Sequence, residues 1–446
     1  MNTKLSNHDN SDLVRISDIV KLNPETYSAE MGWNKIKYLD TSNITNGRID
    51  EIVGYDAQED KIPSRAKRVV KNNDLIYSTV RPNQRHYGIL RNIPANLLVS
   101  TGFSVLRNKF QNKYDIRYIY HLITQENITD YLQGIAENNT SAYPALKPTD
   151  LTDLKFSFPP LEYQKAASSF IEYIDNKIEL NHKMNQTLED IAKAIFKSWF
   201  VDFDPVRAKI EGRPVGLPQE ISDLFPDELV DSEIGEIPKG WMKTTISHIS
   251  EIQNGYAFKR KDWDLNGQVP VVKIGNVKPM LVDIESCSRI KTKMAKGLER
   301  FKLSVGDALI GLTGYVGEVG LVPDIGKVPY LNQRVGKFNP INSDDYCYLV
   351  IMTRRSKFKS QVVNLGTGSA QANVSPRDIL GISLILPPAE LRRMFAQIVS
   401  PIIKRILISC SEAHNISKLR DTLLPKLISG ELRIPDAEKF LEEAGI

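Results

Sequence analysis

Three stretches of this chain place hydrogen-bond donors, acceptors and aromatic rings within a few residues of one another. Their candidate side chains are Arg81, Asn83, Gln84, Arg85 and Tyr87, then Tyr256, Phe258, Lys259 and Arg260, then Asn332, Gln333 and Arg334. Two further polar loops, which precede Pro148 and Pro376, contribute Asn139, Ser141, Ser369 and Gln371. Arginine, asparagine and glutamine on a loop that reaches a groove can read the edges of DNA bases. Turn formation alone would also explain any one of these stretches.

Basic residues accompany these stretches at two places. Lys67 and Arg68 lie in a run of cations that precedes Asp74, and Arg300 lies in a similar run that precedes Asp307. Duplicated cationic runs suit contacts to DNA phosphates, although a solvated charged loop is the alternative. The net charge is only +4, but residues 241–388 alone carry +8 and residues 201–240 carry −6. We therefore expect DNA to contact the globular parts of the chain and not the acidic segment.

Catalytic and metal-binding patterns are missing from the sequence. Glycines recur every third residue from Gly311 to Gly320, but without the lysine of a phosphate-binding loop they are interpreted as turn and strand glycines. The six histidines show no metal-ligand spacing, and the three cysteines are too far apart for a zinc site. We expect no catalytic residue, cofactor or metal in this chain.

Length and hydropathy restrict the class of protein. A chain of 446 residues is long enough for two to four domains. It contains no run of 18 apolar residues, and its first ten residues are polar. We expect a soluble, cytoplasmic protein with no membrane partner.

Two halves of the chain repeat each other. Residues 141–162 match residues 369–390 at a constant offset of 228, with both Pro-Pro pairs in register. Asp74 matches Asp307 at a similar offset, in the same order. Short β-branched runs at 269–274 and 308–312 predict strands, and apolar periodicity at 114–132 predicts a helix. Each half is therefore predicted to be an α+β domain followed by a long helix.

The segments after the Pro-Pro pairs have the periodicity of coiled-coil helices. Between residues 171 and 195 the seam steps by three and four residues, with Asn181 and Asn185 at its middle. A second seam runs from residue 395 to residue 427, and Pro401 inside it should kink the helix or mark a boundary. Two narrow seams in one chain favour pairing of the helices with each other. The alternative is that each helix packs only on its own domain.

Four aromatic residues lie together at the end of the first helix: Phe196, Trp199, Phe200 and Phe203. They exceed what one seam needs, so they form either a core that caps the helix or a docking patch for another subunit. Residues 201–240 follow, with five prolines and ten acidic residues against four basic ones. This segment is predicted to be an irregular connector outside any core.

In combination these features resemble the specificity subunit of type I restriction–modification enzymes, over about residues 13–434. One motif is Pro159-Pro160-Leu161-Glu-Tyr-Gln164 followed by a long helix. The others are Phe-Lys-Ser-Trp-Phe-Val-Asp-Phe at 196–203 and Leu-Arg-Asp-Thr-Leu-Leu-Pro-Lys-Leu-Ile-Ser-Gly-Glu-Leu at 419–432. The sequence departs from the family pattern at Ala389, at Leu391-Arg392 and at Pro401.

The resemblance implies a DNA-binding subunit with two duplicated globular α/β target-recognition domains, residues 1–160 and 241–388. Each would read one half of a split, asymmetric DNA site. Residues 161–200 and 389–434 would form an antiparallel coiled coil with pseudo-two-fold symmetry, and residues 435–446 a tail. Two methylation subunits and the restriction subunits would dock on the chain, with Leu423, Leu424 and Leu427 joining the four aromatics. S-adenosylmethionine, ATP and Mg²⁺ would belong to those partners, which would make this chain non-catalytic.

Two other functions stay open on the sequence alone. A coiled-coil adaptor that binds only proteins predicts no salt-dependent DNA binding by the assembled complex. A stand-alone enzyme predicts activity of the purified chain with S-adenosylmethionine or ATP, and the missing catalytic patterns argue against it.

Overall fold

A computed structural model describes residues 13–139, 144–233, 235–366 and 372–443. The chain divides into two compact units. Unit 1 comprises Met1–Asn176 and Ile416–Ile446, and unit 2 comprises Lys177–Asn415. Each unit therefore contains an α+β part and a portion of both long helices.

The first part of unit 1 contains mostly short strands. They are β1 (Val14–Arg15), β2 (Val20–Leu22), β3 (Lys35–Leu39), β4 (Ile44–Thr45), β5 (Arg48–Ile49), β6 (Val53–Asp56), β7 (Ala66–Val69), β8 (Leu75–Ser78), β9 (Tyr87–Ile89), β10 (Leu97–Ser100), β11 (Phe103–Asn108) and β12 (Lys155–Phe156). The helices are α1 (Ile16–Ile19), α2 (Ile116–Ile123), α3 (Glu126–Asn139), α4 (Pro148–Thr152) and α5 (Leu161–Phe200), which continues into unit 2.

Two four-stranded sheets organise unit 1. One has the order β6-β3-β10-β7, in which β3 and β10 are parallel, and the other has the antiparallel order β2-β11-β8-β9. Helix α2 packs on the second sheet, because Tyr118 and Ile119 are buried against Leu75 and Tyr77 in one apolar cluster. Burial of this cluster is the main source of stability for the unit.

The second half of the chain contains further short strands and helices. The strands are β13 (Leu229–Val230), β14 (Ile237–Pro238), β15 (Met242–Thr245), β16 (Ser250–Asn254), β17 (Val269–Val272), β18 (Met280–Leu281), β19 (Ser288–Ile290), β20 (Ala308–Gly311), β21 (Val319–Leu321), β22 (Tyr330–Leu331), β23 (Val335–Pro340) and β24 (Ser383–Leu386). The helices are α6 (Asp204–Ile210), α7 (Gln219–Ser222), α8 (Thr292–Ala295), α9 (Tyr346–Thr353), α10 (Ser356–Leu365), α11 (Pro376–Leu380), α12 (Ala389–Ser429) and α13 (Ile434–Glu443).

Unit 2 repeats the strand order of unit 1. Its larger sheet has the order β16-β23-β20-β21-β18, whose first four strands correspond to β2-β11-β8-β9. Its smaller sheet, β19-β17-β22, also contains one parallel pair, β17 with β22, as β3 pairs with β10. Helices α9, α10 and α11 follow in the same sequence as α2, α3 and α4. The duplication predicted from the sequence is therefore present in the fold.

The two long helices run antiparallel within each unit. In unit 1 the Arg420 Nη1 donates to the Asp175 Oδ1 at 2.7 Å, and the Tyr163 hydroxyl donates to the Leu427 carbonyl oxygen at 2.9 Å. In unit 2 the Asn185 Nδ2 lies 3.0 Å from the Cys410 Sγ. The predicted pairing of the helices is confirmed, and both helices also contribute to the apolar cores of their units.

Three local predictions are wrong. The helix expected at 114–132 is two helices, α2 and α3, because Thr124 ends α2 and turns its hydroxyl back onto the Tyr120 carbonyl. The segment 201–240 is partly helical and enters the unit 2 core through Val206 and Phe225. The boundary expected at Pro401 is also wrong, since α12 continues through this residue with the proline on the exposed side. The alternative expectation, a kink at Pro401, stays a prediction.

Helix α12 contains an 18-residue window with a mean hydropathy of 1.3, which is long and apolar enough to cross a membrane by length and composition alone. This is weak support for a membrane span, because the core helix of a soluble protein meets the same criterion. Leu391, Phe395 and Val399 of this helix are buried in the unit 2 core. Its apolar character therefore has a structural explanation within the unit.

Candidate nucleic-acid interface

In unit 1 the loop that joins β8 to β9 presents four of the predicted site residues. Arg81, Asn83, Gln84 and Arg85 are all exposed, whereas Pro82 beneath them is buried. Arg81 and Arg85 adopt left-handed backbone conformations, with φ of 47° and 57°. Non-glycine residues rarely occupy this region, so the fold must hold the loop in place. One anchor is the Arg81 N–H, which donates to the Pro144 carbonyl at 3.0 Å.

The cationic strand β7 lies beside the base of this loop. The Thr79 N–H donates to the Gly102 carbonyl at 2.8 Å, and the neighbouring Thr101 N–H donates to the Arg65 carbonyl at 2.9 Å. Lys67 on β7 is exposed and Arg68 is half-buried. The structure thus brings a basic strand and a polar loop to the same end of the two sheets, as contacts to phosphates and bases would require.

Two further residues predicted in unit 1 are Asn139 and Ser141. Asn139 is exposed at the end of α3, and its Nδ2 lies 3.3 Å from the Ala145 carbonyl oxygen. Ser141 lies outside the described residues. In unit 2 the corresponding Ser369 and Gln371 also lie outside them.

In unit 2 two predicted stretches meet at the equivalent end of the larger sheet. Asn254 at the end of β16 pairs with Gly336, and Gly311 at the end of β20 pairs with Val335, so the connected loops emerge together. The Gln333 N–H donates to the Tyr256 carbonyl at 3.0 Å. Tyr256, Gln333 and Arg334 are all exposed there. Residues 77 positions apart in the sequence therefore form one polar surface.

Arg300 joins this surface through its backbone and its neighbouring ring. The Gln253 Nε2 donates to the Arg300 carbonyl at 2.6 Å, and the Arg300 guanidinium lies 4.4 Å from the centre of the Phe301 ring. That ring is 5.6 Å from the Tyr256 ring. Lys259 and Arg260 are exposed on the turn that follows Tyr256. The cluster is rich in cations that no carboxylate neutralises in the contacts described.

Three predicted contact residues are buried, and the prediction that they touch DNA is wrong for this conformation. The Tyr87 ring stacks on Tyr77 at 5.3 Å, and burial raises the pKa of its hydroxyl. Phe258 packs between Tyr256 and Trp263. Asn332 accepts the Arg334 N–H through its Oδ1 at 3.3 Å. These side chains shape the loops that carry the exposed residues.

The proposed docking residues also lie inside the fold. Phe196, Trp199, Phe200 and Phe203 are only 1–6% exposed, and Phe200 stacks edge-on against Phe395 at 5.0 Å. They form the capping core that the sequence left open as the alternative. In unit 1 Leu423 and Leu427 are buried and Leu424 is half-buried against the core. Buried side chains of this kind cannot themselves present a docking surface.

The loop that joins β20 to β21, residues 312–318, was not among the predicted site residues. This loop occupies the position in unit 2 that residues 79–86 occupy in unit 1. The offset of 233 between Asp74 and Asp307 carries Arg81 onto Gly314, so the signal was available. It was obscured because the stretch is rich in glycine and lacks charged donors.

Two aspartates at equivalent positions in the two units have structural partners. Asp74 forms an ion pair with Arg107 at 2.7 Å, and the equivalent Asp307 pairs with Lys337 at 3.3 Å. Within residues 13–139, 144–233, 235–366 and 372–443, no cluster of three or more metal-ligating side chains occurs. The exposed arginines, amides and aromatics can bind a polyanion and hydrogen-bond to bases.

Comparison with known proteins agrees with this chemistry. The family described as the type I restriction modification DNA specificity domain matches residues 8–190 and 238–415. The HindI specificity subunit of Haemophilus influenzae is 26% identical over 438 residues, covering 89% of this chain and 94% of that protein. The MjaIX specificity subunit of Methanocaldococcus jannaschii is 28% identical over 324 residues, covering 72% of this chain and 69% of that protein.

The fold has a solved counterpart. The crystal structure of the type I restriction–modification S subunit from M. genitalium aligns with a TM-score of 0.52 at 14% identity, covering 96% of this chain and 99% of that one. At this identity the likeness concerns the fold. Because the family model matches both halves and the relatives align along most of the chain, the chain belongs to the type I restriction–modification DNA specificity family.

Proposed function

We propose that this chain reads a split DNA site through two target-recognition domains, residues 1–160 and 241–388. The observation that carries the proposal is that equivalent sheet ends in both units bear exposed cations and amides. Arg81, Asn83, Gln84 and Arg85 read bases in one half-site, and Gln333 and Arg334 do so in the other, with Tyr256 beside them. Each domain reads its own few base pairs.

Cations at the margins of these loops hold the DNA backbone. Lys67, Arg68, Lys259, Arg260 and Arg300 contact phosphates, which position the domains without carrying sequence information. Such contacts make the affinity fall steeply with salt. A protein-only adaptor would have no use for this duplicated cationic surface.

The helices α5 and α12 scaffold the other subunits. Two methylation subunits and the restriction subunits bind the chain in the cytoplasm, and S-adenosylmethionine, ATP and Mg²⁺ belong to them. Since the aromatic cluster at 196–203 is internal, docking uses the exposed apolar side chains on the helices instead. In unit 2 these include Leu180, Ile191 and Ile408.

The decisive experiment reconstitutes the full chain with its methylation partner and maps methyladenine across a genome. A split motif is expected, and an intact, active complex without any motif would refute the proposal. Exchanging residues 241–388 for those of another family member should change one half of the motif only.

Point variants sharpen this test. Arg81→Ala should relax one half of the motif, because each good bidentate base contact gives about 1–3 kcal/mol of discrimination. Arg213→Ala is the matched control, since Arg213 is an exposed arginine in the acidic segment 201–240. This control should leave the motif unchanged.

A further inference from the structure

The loop 312–318 in unit 2 is held in the same way as the loop 79–86 in unit 1. The loop 79–86 follows β8, which pairs with β11, and the loop 312–318 follows β20, which pairs with β23. Each loop contacts the segment that precedes a short helix beginning with proline, α4 in unit 1 and α11 in unit 2. In unit 1 that contact is the Arg81 N–H to the Pro144 carbonyl, at 3.0 Å. In unit 2 it is the Gly314 N–H to the Ala372 carbonyl, at 2.8 Å. The two loops therefore occupy equivalent places, although their sequences are unrelated.

The backbone of the unit 2 loop is fixed on both sides of Tyr315. Val316 is buried in the core, and the Thr313 Oγ1 lies 2.9 Å from the Asn373 Oδ1. Gly314 and Gly317 have φ of +75° and +78°, which other residues would adopt only with strain. A Cβ at Gly317 would also meet the Val362 side chain at 3.1 Å. The glycines thus let the chain reverse direction tightly around Tyr315.

The Tyr315 side chain projects from this rigid turn and is 77% exposed. A ring of this size gains nothing for folding at such exposure, because little of its apolar surface leaves water. The loop lies next to the DNA-facing surface, since the Leu312 N–H donates to the Arg334 carbonyl at 3.1 Å. An aromatic side chain held on a fixed backbone can bind at a low cost in conformational entropy.

We propose that Tyr315 packs its ring against a base in the half-site bound by unit 2. This assignment rests on the proposed function of the chain. The neighbouring Arg334 supplies charge and hydrogen-bond donors, whereas Tyr315 supplies an apolar ring that can contact the edge of a base in a groove, such as the methyl group of thymine. In unit 1 the equivalent loop uses polar side chains, so the two half-sites are read by different chemistry.

The test compares the wild-type chain with Y315A, Y315F and I341A, each assembled with its methylation partner. Ile341 is a matched control, because it is 62% exposed at the opposite end of β23. Binding is measured on a duplex that carries the motif mapped for the wild-type complex. Y315A should weaken binding about 5-fold to 100-fold, as expected for loss of one specific base contact in a duplex site. Y315F and I341A should bind within about 2-fold of wild type, since both variants keep an aromatic ring at position 315.

Two further readouts separate a base contact from other effects. The dependence of affinity on salt should stay the same in Y315A, because no phosphate contact is removed. The mapped motif should relax in one half only. A Y315A complex with wild-type affinity and motif would overturn the proposal, and so would a loss in Y315F as large as in Y315A. Failure of the wild-type complex to yield any split motif would instead refute the proposed function.

Discussion

Removing the Glu189 carboxylate should destabilise unit 2 more than removing any exposed carboxylate on the same helix. Arg354 follows the last turn of α9, and its Nη2 donates to the Glu189 Oε1 at 2.6 Å. The two side chains are only 4% and 7% exposed, and Lys193 approaches the same oxygen at 2.8 Å. Burial lowers the pKa of Arg354, and the nearby Glu189 carboxylate opposes this effect by stabilising the positive charge. This ion pair joins the long helix α5 to the end of α9 within unit 2.

The magnitude follows from the burial. Breaking a buried ion pair by removing one partner costs about 3–5 kcal/mol, because the remaining charge stays in a poorly solvated place. The control is Glu179→Ala, whose exposed pair with Lys183 contributes about 0–1 kcal/mol. At an m-value of about 3 kcal/mol/M, Glu189→Ala should lower the urea midpoint by about 1 M or more.

Tryptophan fluorescence suits this assay, because Trp199 and Trp241 are buried in the unit 2 core. Replacing both partners by apolar residues, as in Glu189→Leu with Arg354→Met, should recover much of the loss. The reasoning would be refuted if Glu189→Ala lowered the midpoint no more than Glu179→Ala does. It would also fail if the double replacement were as unstable as the single one.

Three other changes have defined expectations. Asn185→Leu should stabilise unit 2 by about 1–3 kcal/mol in urea unfolding, because the Asn185 Oδ1 is buried with no hydrogen-bond partner among the described residues; a destabilised variant would contradict this. Burial lowers the pKa of His121 to about 3, so below its unfolded value of about 6.5 the unfolded chain binds the extra proton. Unit 1 should therefore lose up to about 1.4 kcal/mol per pH unit as pH falls through this range, and hydrogen exchange should show a shallower loss in His121→Gln. Arg392→Ala should cost about 3–5 kcal/mol in thermal or urea unfolding, because it leaves the buried Asp345 carboxylate without its partner. Gln164→Ala removes only neutral hydrogen bonds and should cost about 1–3 kcal/mol. Equal losses would show that the charge of Arg392 adds nothing to the stability of unit 2.

Local periodicity predicted the long helices, because the seams at 171–195 and 395–427 are set by residues three and four apart. The structure buries Ile171, Ile174, Asn185 and Ala192 of the first seam as expected. The duplication was equally visible, since it depends on matching residues and not on contacts. These features need no knowledge of which distant segments meet.

The candidate site and the aromatic core at the end of α5 are formed by residues that lie far apart in the sequence. Local sequence patterns therefore predicted them less well. Phe200 is buried because Tyr348 and Phe395 surround it, each about 150–200 positions away in the sequence. No local pattern distinguishes that core from an exposed patch. In the same way, residues 312–318 lie beside the polar loops of unit 2 because β23 pairs with both β16 and β20. Strand order is set by long-range register, which composition does not reveal.

Gln164 in unit 1 and Arg392 in unit 2 occupy equivalent positions, and both link the α+β part of the unit to its long helix. In unit 1 the Gln164 Nε2 donates to the Pro159 carbonyl at 2.8 Å, and its Oε1 accepts the Asp115 N–H at 3.0 Å. In unit 2 Arg392 stands at the same place, and it donates to the Pro387 carbonyl and to the Asp345 carboxylate. The departure of Arg392 from the family pattern therefore preserves the link between the domain and its helix. Because the two links use neutral and charged partners respectively, the halves share one geometry but hold it with different interactions.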